Sequence, residues 1–352
     1  MSIDEIVEKF RNSYKFDARV NLFEIECSET DTGITLSGIV QNDELKNAFF
    51  EYCKKSFCGH LINYEVQTID KSEKVSKAAV RVSTGNVYKE PSFRSTVITQ
   101  CLMGEIVTVV KRCKDWVMVQ LRDNYIGWMT ETVTDLSSEQ CMQYEKCEKV
   151  IVTALCDSVY DSEMMCCIVS DTVIGNVFAL SKENKTGYYI TYPDNRTGFI
   201  SRKSSELLSD WRKSGVAAAQ TVVETALRFR GIPYVWGGVS SKGLDCSGFT
   251  KLVYHMCGIE LPRDADMQVK CGYDVPFDRS FSGVKSGDLL FFGRKSETDP
   301  TDEIPIVHVA LSLGGKLYMQ ASGDVHISSF DPEDPCFDKR RSESIQKVRR
   351  IL

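Results

Sequence analysis

The chain has 352 residues, of which 42% are hydrophobic and 26% charged, and it carries a net charge of −6. That length accommodates roughly two to four domains, and an acidic chain without a basic concentration disfavours a nucleic-acid partner. No run of about eighteen apolar residues is present, so no membrane-spanning helix is expected, and the acidic opening from Met1 to Glu8 is unlike a signal peptide.

Residues 1–72 predict a small α+β unit whose role the sequence leaves open. A short helix is expected over 3–14, then strands at 20–27 and 34–40 joined at the turn Asp31-Thr32-Gly33. A helix over 43–53 places Leu45, Ala48, Phe49 and Tyr52 on one stripe, and a strand is expected at 62–68. Lys71-Ser72-Glu73-Lys74 reads as a linker.

Residues 77–136 are strand and turn throughout. Val80, Val82, Val87, 97–99, 106–110, 116–119 and 126–129 mark short strands, a spacing that predicts a small barrel. Residues 149–208 repeat the plan, with strands expected at 150–155, 173–178, 188–191 and 197–200. Asp123-Asn124-Tyr125-Ile126-Gly127-Trp128 answers Asp194-Asn195-Arg196-Thr197-Gly198-Phe199. The two stretches are read as copies of one barrel, and both resemble bacterial SH3-like domains. Helix-forming residues 137–148 join them.

Residues 215–352 open with an amphipathic helix over 216–230. Asp245-Cys246-Ser247-Gly248-Phe249 then places a thiol where a glycine-rich loop gives way to an apolar helix, with Gly258 as its stop. The positive end of a helix dipole favours thiolate, the nucleophilic form, and Ser247 and Gly248 are small enough for a substrate backbone to come close. Strands follow at 288–292, 306–313 and 317–321, an α+β order.

A catalytic thiol needs a base, and the base an orienting group. Of the four histidines, His308 is the candidate. It lies on an apolar strand with Ala310 and Ser312 on its face. A three-residue loop from Leu313 to Gly315 would pair Ser312 with Lys316 and hence His308 with Gln320, whose amide oxygen would orient the imidazole. His255 points to another face of the cysteine helix, His60 lies far off in the first unit, and His326 lies in the tail.

Tyr234-Val235-Trp236-Gly237-Gly238, Leu244-Asp245-Cys246-Ser247-Gly248-Phe249, Ser286-Gly287-Asp288-Leu289-Leu290-Phe291-Phe292 and His308-Val309-Ala310, in that order, resemble the NlpC family of papain-like cysteine peptidases. The expected architecture is therefore multidomain: a papain-like α+β catalytic domain, two small SH3-like barrels and an N-terminal α+β unit. The resemblance implies Cys246 as nucleophile, His308 as base and Gln320 as third member, where the family most often has histidine. The thiolate–imidazolium pair would attack an amide carbonyl, and helix N–H groups with the Tyr234 hydroxyl would hold the oxyanion. Asp288 is expected to make a turn rather than act in catalysis.

Leu261-Pro262-Arg263-Asp264, behind two barrels, is similar to one subgroup, the γ-D-glutamyl-L-diamino acid endopeptidases, also called dipeptidyl-peptidase VI. These act on peptidoglycan stem peptides with a free N-terminal L-alanine. The resemblance implies that Asp264 pairs the free α-ammonium and rejects chains still attached to glycan; its plainer role would be a helix N-cap. It also implies that the first barrel lends Glu90 and Tyr125, whose plainer readings are a solvated turn residue and barrel packing. Trp236 lines the cleft or packs in the core. The loop 294–305, with Glu297, Asp299, Asp302 and Glu303, is a solvated insertion or a lid.

Fourteen cysteines without CxxC pairs suit a reducing compartment, and a cytoplasmic enzyme recycling free stem peptides is expected. Cys166-Cys167 reads as a strand with one thiol on each face. Metal-ligand spacings are missing, and no cofactor is expected. The rival readings are an exported cell-wall hydrolase acting on intact murein, a non-catalytic wall-binding protein, and acyl transfer through the same thioester.

Overall fold

In the computed structural model the described residues are 3–14, 16–30, 33–57, 61–214, 218–293 and 304–352. Asp31 and Thr32, His60, the start of the helix expected from Val216, and residues 294–303 of the acidic loop lie outside them.

The first helix, α1 (Ile3–Tyr14), buries Ile6, Val7 and Phe10 along one face. The strands β1 (Phe23–Thr30) and β2 (Gly33–Val40) are antiparallel, and α2 (Asp43–Ser56) crosses over to β3 (Ile62–Thr68), parallel to β2. Asn42 caps α2, accepting from the Leu45 N–H at 2.9 Å. The strand expected at 20–27 starts instead at Phe23. The Val20 and Asn21 N–H groups both bond the Asp17 carbonyl, so this stretch is a turn that holds Arg19 at its tip.

Next come β4 (Ser76–Val80), β5 (Thr84–Tyr88), β6 (Val97–Leu102), β7 (Ile106–Cys113), β8 (Trp116–Gln120), β9 (Ile126–Met129) and β10 (Val133–Leu136), in the sheet order β10-β4-β7-β8-β9-β5-β6. After α3 (Ser138–Lys146) follow β11 (Lys149–Val152), β12 (Cys156–Tyr160), β13 (Ile168–Val173), β14 (Val177–Glu183), β15 (Gly187–Thr191), β16 (Thr197–Ser201) and β17 (Ser205–Leu207). Their order, β17-β11-β14-β15-β16-β12-β13, matches the first sheet strand for strand. The repeated aspartate–asparagine turns share a cause: Asn124 and Asn195 both adopt left-handed φ, 65° and 67°. Two expectations fail in the second sheet. The strand at 173–178 is broken by a turn at Ile174 to Asn176, where Gly175 has φ 86°. Cys166 and Cys167 are both exposed in the loop before β13, because the strand begins only at Ile168.

The C-terminal part contains α4 (Leu208–Ser214), α5 (Ala219–Arg228), the short hairpin β18 (Val239–Ser240) and β19 (Gly243–Leu244), α6 (Cys246–His255) and α7 (Ala265–Gln268). Then come β20 (Tyr273–Asp274), β21 (Leu289–Gly293), β22 (Ile306–Gly314), β23 (Leu317–Ser322), β24 (Asp324–Ser329), α8 (Lys339–Ser344) and β25 (Ile345–Arg350). The sheet runs β20-β25-β21-β22-β23-β24. One apolar core joins it to α5 and α6 and takes in Leu102 from the first barrel and Ile151, Val173 and Ile174 from the second. Burial of this kind stabilises by about 25 cal/mol per Å², so the barrels are held in a fixed place beside the cysteine helix.

Candidate active site

Cys246 is the first residue of α6. Asp245 caps the helix, its Oδ1 accepting from the Gly248 N–H at 2.7 Å. The helix start is pressed against the preceding loop: a Cβ on Gly248 would lie 2.0 Å from the Gly238 carbonyl oxygen. The small residue at 248 therefore serves helix-to-loop packing, not the approach of a substrate. Ser247 is also withdrawn from the cleft. Its hydroxyl is buried and accepts from Arg263 Nη1 at 2.8 Å.

The backbone N–H groups of Val309 and Ser247 act on the Cys246 sulfur in the direction that favours thiolate. Val309 follows His308, so β22 delivers the histidine strand to the thiol. Burial and then the Asp245 charge outweigh these N–H groups and push the thiol above its ordinary value. His308 is 6% exposed and is pushed down to about 3 by burial and then by the Arg341 charge. Both directions favour an uncharged thiol and an uncharged imidazole before substrate is attacked.

His308 Nε2 lies 2.8 Å from Gln320 Oε1. The register that joins them differs from the expected one. Ser312 pairs with Tyr318 rather than Lys316, and a bulge between Ser312 and Gly314 absorbs the difference. Continued along the strands, this sets Gln320 diagonal to His308 by two residues. A two-residue slip keeps both side chains on one face, so the contact survives.

Sequence reasoning missed what fixes Gln320. Arg341 Nε, which can only donate, reaches Oε1 at 3.1 Å, and the Asp338 carboxylate, which can only accept, takes a bond from Nε2 at 3.0 Å; Ser328 Oγ takes another at 2.9 Å. Flipping the amide would forfeit two charge-assisted bonds, each worth about 1.5–3 kcal/mol. Gln320 Oε1 therefore always faces His308 and requires the proton on Nε2, leaving Nδ1 as the basic nitrogen. Asp338 and Arg341 lie in a polar segment with no apolar periodicity or motif to mark them.

Tyr234 is partly buried against the same core as Cys246, and burial raises its hydroxyl to about 12, so it stays a donor. Trp236 is 66% exposed, which rules out the core role. Asp264 occupies the N-cap position of α7, but its side chain caps nothing; instead its Oδ2 accepts from the Tyr125 hydroxyl at 2.9 Å. Tyr125 is also part of the barrel core, its plainer reading. Glu90 is exposed, and its backbone N–H bonds Ser95 Oγ at 3.0 Å within its own turn. Among the described residues nothing ties it to Asp264 or Tyr125. Asp288 is a turn residue that also pairs Arg350 through both oxygens at 2.7 Å. His255 bonds Glu260, and His326 bonds Asp324.

Arg263 is the other residue the motif contained without disclosing its task. Buried, it bonds Asp245, Ser247 and, through Nε at 2.8 Å, Thr99 Oγ1 of β6. Gln100 Oε1, next along β6, accepts from the Val239 N–H at 2.9 Å. The first barrel thus forms a wall beside the cysteine helix.

Residues 231–344 match the NlpC/P60 family and residues 87–132 the bacterial dipeptidyl-peptidase SH3 domain. The chain is 27% identical over 224 residues to the γ-D-glutamyl-L-lysine dipeptidyl-peptidase of Bacillus cereus, covering 61% of this chain and 64% of that protein. It is 25% identical over 283 residues to dipeptidyl-peptidase 6 of Lysinibacillus sphaericus, covering 77% of this chain and 98% of that one. An NlpC/P60 family protein from Bacillus cereus shares the fold with a TM-score of 0.67 at 24% identity, over 79% of this chain and all of that one. Taken with a thiol at a helix start and a histidine strand against it, these likenesses show that residues 231–344 form an NlpC/P60 domain.

Proposed function

We propose that this protein hydrolyses the bond between γ-D-glutamate and the diamino acid of peptidoglycan stem peptides that bear a free N-terminal L-alanine. The observation that carries this reading is Asp264, a carboxylate released from helix capping and held by Tyr125 of the first barrel. An α-ammonium suits that carboxylate, and an acylated or glycan-linked amine does not. The names of the relatives support the same bond.

In this reading His308 Nδ1 takes the Cys246 proton as the sulfur attacks the amide carbonyl. The N–H groups at the start of α6 and the Tyr234 hydroxyl receive the oxyanion. The imidazolium returns its proton to the leaving amine, the C–N bond breaks, and a thioester remains. Water, deprotonated by His308, then releases the acyl group and restores the thiol. Gln320 orients the imidazole without taking a proton. Cys246 and His308 are the proposed catalytic residues. Fourteen cysteines, the thirteen described ones free, support a reducing compartment and recycling of free peptides.

The test is mass spectrometry of products from L-Ala-γ-D-Glu-L-Lys, its N-acetyl derivative and intact sacculi. Release of L-Ala-γ-D-Glu from the free peptide alone is expected. Equal rates on free and acetylated peptide would remove the amine-binding role of Asp264, and a preference for sacculi would make the protein a wall hydrolase.

A further inference from the structure

The N-terminal unit reaches the peptidase cleft through one side chain. Arg19 sits at the tip of the turn before β1, and its carbonyl accepts from the Ile126 N–H at 2.8 Å. Val20 packs against the core of the first barrel. Leu22, Ile39 and Ile69 share an apolar cluster with Val110, Trp116, Met118 and Trp128 of that barrel. The Arg19 backbone is therefore fixed relative to the wall of the cleft.

Its guanidinium bonds Asp264 Oδ2 at 2.7 Å and both oxygens of Asp266, at 2.9 and 2.6 Å, while Asp17 holds its other edge. The Tyr125 hydroxyl reaches the same Oδ2 of Asp264. Asp264 Oδ1 is left facing Arg263 Nη1 at 4.0 Å, an ion-pair distance too long for a hydrogen bond. Arg263 is the residue that bonds Asp245 and Ser247 on either side of Cys246. Oδ1 is thus the oxygen that none of these hydrogen bonds occupies. Asp17, Asp264, Asp266 and Asp245 set four carboxylates against the two guanidiniums of Arg19 and Arg263, so the cluster is negative and a further cation is still attracted.

We propose that Arg19 is a positioning residue of the peptidase: it fixes the Asp264 carboxylate so that Oδ1 is presented to the α-ammonium of the substrate, and the N-terminal unit is thereby a working part of the cleft. This rests on the amine-binding role of Asp264. The alternative, that the guanidinium stands in for the ammonium and must leave, fits poorly with a fixed backbone and three carboxylate partners.

The test is steady-state kinetics of the full-length Arg19→Met, Arg19→Lys, Asp266→Asn and Asp264→Asn proteins on free and N-acetylated L-Ala-γ-D-Glu-L-Lys, below the melting temperature of each. Arg19→Met is expected to raise KM for the free peptide roughly tenfold, as one charge-assisted bond is lost, with a much smaller change in kcat and weaker discrimination against the acetylated peptide. Arg19→Lys should recover part of the KM, and Asp266→Asn should reproduce the rise in milder form even if Arg19→Met folds poorly. A lower KM in Arg19→Met overturns the proposal in favour of a competing cation, and an unchanged KM overturns it outright. Discrimination lost in Asp264→Asn but kept in Arg19→Met removes the positioning role alone. Discrimination kept in both removes the amine-binding reading and this proposal with it.

Discussion

The resting charge state of the site can be tested directly. Cys246 titrates above its ordinary value of 9.0 because it is buried and faces Asp245, and His308 titrates near 3 because it is buried and faces Arg341. Both shifts disfavour moving the thiol proton onto the imidazole before substrate is attacked, so a neutral pair is expected at rest. The perturbation is pH, and the assay is the rate of Cys246 alkylation by iodoacetamide, followed by peptide mass spectrometry so that other thiols do not interfere. The rate should climb about tenfold per pH unit through neutrality, since only thiolate reacts. His308→Ala should barely move that profile. A plateau with its midpoint below neutrality, abolished by His308→Ala, would refute the neutral pair and restore the ion pair expected from the helix dipole. If the neutral pair holds, proton transfer accompanies attack on the carbonyl.

Gln320→Leu should lower kcat far more than KM, because His308 Nε2–H loses its acceptor and Arg341 and Asp338 lose their shared partner; an unchanged kcat would deny Gln320 its orienting role. His308 also links stability to acid. Its folded pKa lies below the unfolded value of 6.5, so the unfolded chain binds the proton first. The stability it contributes is whole above 6.5, is lost as pH falls toward about 3, and amounts to roughly 5 kcal/mol. Urea titrations of the wild type and His308→Gln across that window should differ in slope, and parallel curves would contradict the burial of an uncharged ring. Gly248→Ala should cost about 1–3 kcal/mol by overpacking the helix against Gly238 and lower the melting temperature; an unchanged melting temperature would show that the loop yields.

Local pattern carried the fold a long way. The apolar stripe of α2, the aspartate–asparagine turns repeated in both barrels and the cysteine at a helix start are all set by residues within one or two turns of each other. Pattern failed where one extra hydrogen bond changed the local geometry. The Asp17 carbonyl turned Val20 and Asn21 out of the strand expected at 20–27, and Gly175 with its neighbours broke the strand expected through 173–178. The last two strands, β24 and β25, were not anticipated at all.

The site divides in the same way. The sequence alone named Cys246, His308 and Gln320, because a thiol at a helix cap and a histidine on an apolar strand are local features, and because two-residue periodicity keeps His308 and Gln320 on one face even in the wrong register. Only the tertiary structure decided which partners lock Gln320, which groups set the charges of the pair, and which arginine holds Asp264. Arg341, Asp338 and Arg19 act across distances in sequence that no periodicity spans. Their effects are electrostatic and directional, so they depend on where folding delivers each charge, and that is fixed by the shared apolar cores rather than by neighbouring residues.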